Sequence, residues 1–444
     1  MTTTSFKMNR QSIAAYLLAI AVSATVFTAC KKNDHVPGNG NQASSYSSYV
    51  LDTWMTMQIR LMRNATGIPN QALGRHFAYS GIAALESLAP GLNGNERWSD
   101  RWNGLTGLPA WHPSTKYYFP ANVNAAMAAI NKAMFPNASA ADKAAIDSLE
   151  LAFINNFASS ISNEMLVRSS NFGKAVAAAV FNWADADGHK FANGAYTPPS
   201  GPGMWVPTPP ANAPASTPYW GKNRTIISGS IANTRPAPPV AYSAEVGSPF
   251  YNMVKEVYDA SQNLTNEQKA MATFWRDVPG VTSPGHWLSI VQQAIRLKNA
   301  RLDKAALAYA LTGTAINDAL IGCWEAKFHY NLVRPITYIR SVMEQGSWTS
   351  HLGTPPHPEY PSAHSALSSA AAEALVKIFG DSGAFTDHTY DYLGFEPRVY
   401  FSFTGIANEA GQSRLYAGIH YKPSIEAGLQ QGKKVVENIF SKGK

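Results

Sequence analysis

Cysteine is almost absent from this chain. Only Cys30 and Cys323 stand among 444 residues, so no framework of disulfides can carry the fold. Charge is also sparse, at 15% of residues. The 36 Lys and Arg exceed the 29 Asp and Glu to give +7, and they are scattered instead of gathered into runs. That argues against a nucleic-acid groove, whereas a small anionic partner suits the balance well. No repeat of fixed period is visible, which argues against a solenoid. The His-Glu-x-x-His pattern of zinc peptidases is missing, and Asp185-Ala186-Asp187-Gly188 lacks the outer ligands of a calcium loop, because Trp183 and Gly194 occupy their places. Hydrophobic residues make up 45% of the chain, enough for a sizeable core in one or two domains.

The N-terminus reads as a targeting segment. A basic leader with Lys7 and Arg10 precedes an apolar stretch from Ile13 to Phe27, and Thr28, Ala29 and Cys30 follow before Lys31, Lys32, Asn33 and Asp34. The stretch resembles a bacterial lipoprotein signal, with Phe27 where Leu is usual, and it is too short for a spanning helix of about 20 residues. An ordinary cleaved signal peptide is the alternative. The expectation is loss of residues 1–29, lipidation of Cys30 and a membrane-anchored body outside the inner membrane of a bacterial envelope, at the outer membrane or in the periplasm. Lys31, Lys32 and Asp34 resemble surface-export tags, which extends the expectation to surface exposure. Residues 30–48, rich in Gly, Asn, Gln and Ser, read as a flexible tether to a domain over 49–444. Cys323, between Ile321 and Trp324 in its near neighbourhood, reads as a small buried hydrophobe.

Apolar residues recur at helical spacing over Val50–Met62, Ala72–Leu88, Ala141–Ile161, Met165–Ala184 and Tyr251–Ala260, and again over Thr265–Trp275, Pro284–Leu297, Ala305–Tyr330, Ser362–Phe379 and Ile406–Gly418. Alternating strand patterns are scarce, so the fold class is all-α, as two interleaved helical bundles. Residues 198–239 hold 11 of the 28 prolines. Proline at that density forbids a regular helix and predicts a long extended connector over the helical body, ahead of a C-terminal half at 250–444.

Six of the 11 histidines (His329, His351, His357, His364, His388 and His420) fall in one interval of the C-terminal half, and three motifs accompany them. Lys327 is followed after six residues by Arg334 and Pro335. A helix running that far would put both cations on one face, where they call for an anion, although solvated side chains snorkelling from an amphipathic helix give the same spacing. Pro361-Ser362-Ala363-His364 opens an Ala-rich run, which predicts a helix start whose N–H groups bind oxyanions, with a hydroxyl from Ser362 and proton exchange at His364. A simple capped helix is the bland alternative. Arg414, in Ser413-Arg414-Leu415-Tyr416, offers a rigid fork for a tetrahedral anion, and His420 offers an imidazole nitrogen as ligand or nucleophile. Ser424 reads first as the N-cap of the last helix.

Taken in order, these blocks resemble the signature of vanadium-dependent haloperoxidases and the type 2 phosphatidic acid phosphatase superfamily: Lys-x6-Arg-Pro, Pro-Ser-Gly-His and Ser-Arg-x5-His-x3-Asp. Gly74–Leu88, Trp183–Gly188 and Pro284-Gly285-His286-Trp287 resemble the bacterial haloperoxidase branch. The family's glycine is Ala363 here, which keeps the N–H provided φ is negative. Its final aspartate is Ser424, which cannot hold His420 by a charged hydrogen bond. The resemblance implies an oxyanion cradle of Lys327, Arg334, Ser362, Ala363 and Arg414 closed by His420. It implies vanadate as cofactor with His420 as its ligand, Lys327 polarising peroxide, and His364 as acid/base. The reaction implied is oxidation of halide by hydrogen peroxide to a hypohalous acid equivalent.

Two alternatives stand beside it. A phosphatase, for phosphomonoesters or lipid phosphates, would use the same cradle without vanadate, with His420 as nucleophile and His364 protonating the leaving oxygen. A non-catalytic glycan-binding lipoprotein would use some of the 11 tryptophans and predicts that Lys327, Arg334 and Arg414 do not converge. Core packing explains Trp54, Trp183 and Trp275 better. His329 and His357 are candidates to line the pocket, and a zinc site from His357, His364 and His420 would set a cation among cations.

Overall fold

The computed structural model describes residues 42–441 apart from 95, 96, 279, 281 and 382. The leader, Cys30 and most of the expected tether lie outside the described residues. Thirteen α-helices stand among those described, with one two-stranded sheet, so the fold is all-α. In chain order they are α1 Tyr49–Asn64, α2 Asn70–Ser87, α3 Phe119–Met134, α4 Ala140–Ala158, α5 Asn163–Asp185, α6 Pro249–Gln262, α7 Asn266–Phe274, α8 Ser283–Leu297, α9 Leu302–Tyr330, α10 Pro335–Ser341, α11 Ala363–Phe379, α12 Phe403–Tyr416 and α13 Lys422–Ser441. None is long and apolar enough to cross a membrane.

Side-chain oxygens start many of these helices, because the first N–H groups have no partner within the helix. Ser139, Ser162, Ser248, Ser362 and Ser402 accept from the backbone three residues on, and Thr265 forms a capping box with Gln268. The axis of the fold is α9, 29 residues long and buried almost throughout, as expected of a helix apolar on every face. It belongs to two bundles, one with α2, α3 and α5 and one with α11, α12 and α13.

Glycine sets the closest approaches. A Cβ at Gly81 would lie 2.8 Å from Ala310 Cα, and one at Gly313 would lie 2.7 Å from Ala78 Cα, so α2 and α9 cross with their backbones nearly touching. At Gly428 and Gly432 of α13, a Cβ would come within 2.5 Å of the Ser362 carbonyl oxygen and 2.2 Å of the Ala366 carbonyl oxygen. That approach brings α13 to the start of α11, where the Ser362 N–H donates to the Ser424 carbonyl at 2.9 Å.

Several expectations need correction. Helix α9 stops at Tyr330, and Asn331 takes a left-handed φ of 50°, so Lys327 and Arg334 do not share a helix face. Arg334 is instead the N-cap residue of α10. Ser424 is not an N-cap, because α13 already begins at Lys422. Ordered structure begins before Ser48: Ala43 is buried, and Arg301 donates to the carbonyls of Ser44 and Ser45. Helix α3 is unanticipated because small apolar residues bury nearly all its faces and leave no polar stripe to mark a period.

The Pro-rich connector is largely non-helical, as the proline count predicts, with one short 3-10 turn at Trp220–Lys222. It does more than lie over the body. Trp205, Trp220, Ile226 and Ile227 are buried, and the buried Asp318 of α9 accepts from the N–H groups of Ile226 and Ile227 and from Ser230 Oγ. The Trp205 N–H donates to Asn331 O and the Val333 N–H to Gly203 O. The connector therefore pins the turn that delivers Arg334.

Candidate functional site

The lining of one cleft of about 280 Å³ includes Gln71, Asp277, Trp324, His357, Ala363, His364 and His420, while Lys327, Arg334, Ser362 and Arg414 are buried outside that lining. Lys327, near the end of α9, is fully buried and donates through Nζ to the carbonyls of Pro358 (3.0 Å) and Glu359 (2.9 Å). Arg334 is also fully buried. Its Nε donates to His357 O at 2.9 Å, Nη1 to Ile419 O at 2.8 Å and to His420 Nε2 at 3.3 Å, and Nη2 to His357 Nδ1 at 3.0 Å. Arg414, in the last turn of α12, is 1% exposed and donates to Ser413 Oγ and to Ala272 O.

Every one of these acceptors is neutral. Among the described residues none of the three cations makes a direct ion pair with a carboxylate. Glu359 favours the charged forms of Arg334 and Lys327 and Asp277 that of Arg414 from farther off, and burying a charge without a direct partner costs several kcal/mol. Burial accordingly lowers the proton affinity of all three, with Arg334 and Arg414 pulled down to about 10 and Lys327 lowered in the same direction. A bound anion would offset that cost.

Ser362 is the N-cap residue of α11, and Ala363 is its first residue. Ala363 is absent from the positive-φ residues, so alanine in place of glycine presents its N–H without strain. Ser362 Oγ accepts from the Ser365 N–H, which leaves its own hydrogen to donate. The positive end of α11 thus faces the cleft beside the three cations.

Hydrogen bonds assign the imidazoles of His420 and His364. Guanidinium groups only donate, so the contact from Arg334 makes His420 Nε2 an acceptor and puts the proton on Nδ1. That Nδ1–H donates to Glu359 Oε1 at 2.8 Å. His357 Nδ1 instead lies between a donor, Arg334 Nη2 at 3.0 Å, and an acceptor, the Pro358 carbonyl at 3.2 Å, so the same argument assigns it no tautomer. His364 sends Nε2–H to Trp275 O at 2.9 Å, and Asp277 Oδ2 lies at 3.5 Å. Burial and the Arg414 charge pull His364 down to about 4, and burial followed by Arg334 and Lys327 pushes His420 well below 6.5. Both rings are neutral near pH 7.

Of the residues named from the sequence, Ala363, His364 and His420 line the cleft, Arg334 meets His420, Lys327 meets the Glu359 carbonyl, Ser362 caps the helix that carries Ala363 and His364, and Arg414 is buried against Ala272 O. The non-catalytic glycan reading required the cations to diverge, and they do not. His357 lines the cleft as anticipated, whereas His329, His351 and His388 are exposed, and His388 pairs with Asp391. Cys323 is buried, as expected. Glu359, Asp277, Trp275, Gln71 and Ser216 were missed. Glu359 carried a signal, since an acid five residues before His364 has no reason to be apolar core, but nothing in the spacing tied it to His420. Asp187, two residues beyond the end of α5, forms a buried pair with Arg75 at 2.5 Å, a structural role. Among the described residues no group of His, Cys, Asp and Glu is arranged to hold a metal cation.

The neutral buried histidines make stability depend on acid. His76 and His364 are lowered to about 4, and His357 and His420 are lowered well below 6.5. Unfolding releases them to ordinary values, so between pH 6.5 and about 4 the unfolded chain binds more protons and stability rises with pH. Glu359, Asp52, Glu86 and Asp318, all raised by burial, oppose this, the last three by shifts smaller than those of the histidines. The net expectation is a loss of about 1.4 kcal/mol per pH unit for each proton taken up. It is read from urea midpoints that fall between pH 6.5 and 4.5; a flat profile contradicts it.

Comparison with known proteins bears on this geometry. A family profile described as the VCPO second helical-bundle domain matches residues 307–444. The crystal structure of a bacterial vanadium-dependent iodoperoxidase is similar with a TM-score of 0.80 and 32% identity, over 89% of this chain and 96% of that one. A bacterial vanadium-dependent chloroperoxidase is similar in fold at 18% identity and a TM-score of 0.63. Its apo form aligns over 84% of this chain and 94% of its own, its holo form over 94% and 98%. No curated protein sequence matches significantly. With 32% identity to the iodoperoxidase over 89% of this chain and 96% of that one, and with residues 307–444 matching the helical-bundle profile, the chain belongs to the vanadium-dependent haloperoxidase family.

Proposed function

We propose that this haloperoxidase holds orthovanadate between Lys327, Arg334, Arg414, Ser362, Ala363 and His420, and oxidises halide with hydrogen peroxide to a hypohalous acid equivalent. Iodide is the first halide in the proposal, supported by the identity with the iodoperoxidase. The observation that carries the reading is three buried cations that make no direct ion pair, with a histidine whose unprotonated Nε2 accepts from one of them, Arg334.

The donor set fits a tetrahedral oxyanion and suits no bare metal cation. Vanadate, when bound, supplies an electrophilic centre at which peroxide is activated toward halide. The chain supplies position and electrostatics. Lys327, Arg334 and Arg414 offset oxyanion charge in a cleft where low polarisability strengthens each contact. Ser362 and the first-turn N–H groups of α11 donate, and His420 offers Nε2 as ligand. His364, neutral and anchored through Nε2–H on Trp275 O, keeps the Nδ1 lone pair to accept a proton from peroxide. Titrating purified protein with orthovanadate in the presence of peroxide and iodide tests the reading. Triiodide formation that requires vanadate and saturates supports it; saturating vanadate with no oxidation of iodide or bromide refutes it.

A phosphatase is the second reading, favoured by one observation. The Glu359 carboxylate on His420 Nδ1 supplies what Ser424 cannot, so His420 Nε2 is oriented to attack phosphorus. The weak proton affinity of His364 counts against it, because the leaving oxygen needs a proton. Vanadate-inhibited hydrolysis of p-nitrophenyl phosphate, lost in His420→Ala, is its signature.

The proposal also places the body outside the inner membrane through an acyl chain on Cys30, supported by the lipoprotein-like leader. Cys30→Ala is expected to release a soluble form on cell fractionation. Unchanged membrane retention contradicts it.

A further inference from the structure

Glu359 is fully buried, and all of its polar atoms are engaged by the cradle or its support. Oε1 accepts from His420 Nδ1–H at 2.8 Å and from the Tyr421 N–H at 3.0 Å, and Oε2 accepts from Ser424 Oγ at 2.6 Å. Its carbonyl accepts from Lys327 Nζ at 2.9 Å, and its N–H donates to Leu332 O. Ser424 is the position at which the family signature carries its aspartate. Here the carboxylate comes from another segment, five residues before His364, and the serine left behind has become a donor to it.

We infer that Glu359 is the positioning residue of the anion site: its carboxylate fixes His420 with the proton on Nδ1 and Nε2 toward the cleft, while its carbonyl fixes the Lys327 ammonium. Two contacts on one ring make the tautomer unambiguous, since Nε2 faces a group that only donates and Nδ1 faces a group that accepts. A single residue therefore couples the ring that would ligate or attack to the cation beside it, and transfers the role of the family aspartate to a different element. Outer partners of this kind are worth about 10–100-fold in affinity or activity. The inference rests on the reading of the cleft as an anion cradle and holds for vanadate or phosphate alike.

The test does not depend on turnover. In full-length protein with ¹⁵N-labelled histidine and no added anion, NMR of His420 should show the Nδ1–H tautomer. Nε2–H as the main form overturns the inference without any variant. Glu359→Gln keeps the shape and removes the charge; it should mix the tautomers and weaken orthophosphate and orthovanadate binding, measured calorimetrically, by about 10–100-fold. Adding Ser424→Asp to that variant returns a carboxylate to the ring and should recover most of the lost affinity and the single tautomer. Affinity and tautomer unchanged in Glu359→Gln, or no recovery in a double variant that folds as the wild type does, overturns it. If wild-type protein binds neither anion yet shows the Nδ1–H tautomer, the cradle reading fails and the positioning of His420 stands.

Discussion

Arg334→Ala lowers kcat/KM for iodide oxidation on the order of 10²–10³-fold, the usual cost of removing one preorganised donor from an oxyanion site. The effect is large because this guanidinium serves several partners at once. It spans the carbonyls of His357 and Ile419, meets His357 Nδ1 and faces His420 Nε2. Arg334→Lys recovers little, since an ammonium is a point charge and cannot span that fork. Stability gives an independent signature. Removing a buried cation that lacks an ion pair relieves desolvation, so the ligand-free variant loses less stability than activity, while stabilisation by added phosphate largely disappears. Steady-state kinetics and urea unfolding with and without phosphate check both halves. Wild-type kinetics in Arg334→Ala would contradict the assignment.

Gly432→Val destabilises the fold by about 3 kcal/mol, at the upper end of overpacking costs. Its Cβ would sit 2.2 Å from the Ala366 carbonyl oxygen, and that contact is with helix backbone instead of a side chain that could swing away. Helix α13 must then withdraw from α11. Withdrawal also stretches Ser362 N–H to Ser424 O and Ser424 Oγ to Glu359, so activity falls by more than the unfolded fraction explains. Urea unfolding, with activity measured at denaturant-free equilibrium, separates the two. A variant as stable and active as wild type would show that the close approach of α11 and α13 does not hold the site together.

Much of this was legible in the sequence, and the reasons differ by element. Helices such as α5 and α8 carry one buried and one polar face, and their periodicity survives translation into structure. Helix α3 does not, because alanine and other small residues leave no contrast between faces. The candidate site residues were legible because they sit in short motifs whose order resembles the family signature, each motif being ambiguous alone. The separation of Lys327 from Arg334 was not, since it depends on Asn331 adopting a left-handed conformation and on the connector pinning the turn. Glu359 was invisible as a partner of His420 for the same reason: 61 residues separate them, and only the packing of α13 on α11 brings them together. Ser424 made the site look deficient in sequence, whereas in three dimensions it supports the carboxylate that replaces its own.

The account stands on one anion site built from three buried cations and His420. Calorimetric titration of ligand-free protein with orthovanadate tests this most directly. The expected result is one ion per chain, displaced competitively by phosphate, with binding lost or severely weakened in His420→Ala and Arg334→Ala. No saturable binding, or binding that both substitutions leave unchanged, would contradict it.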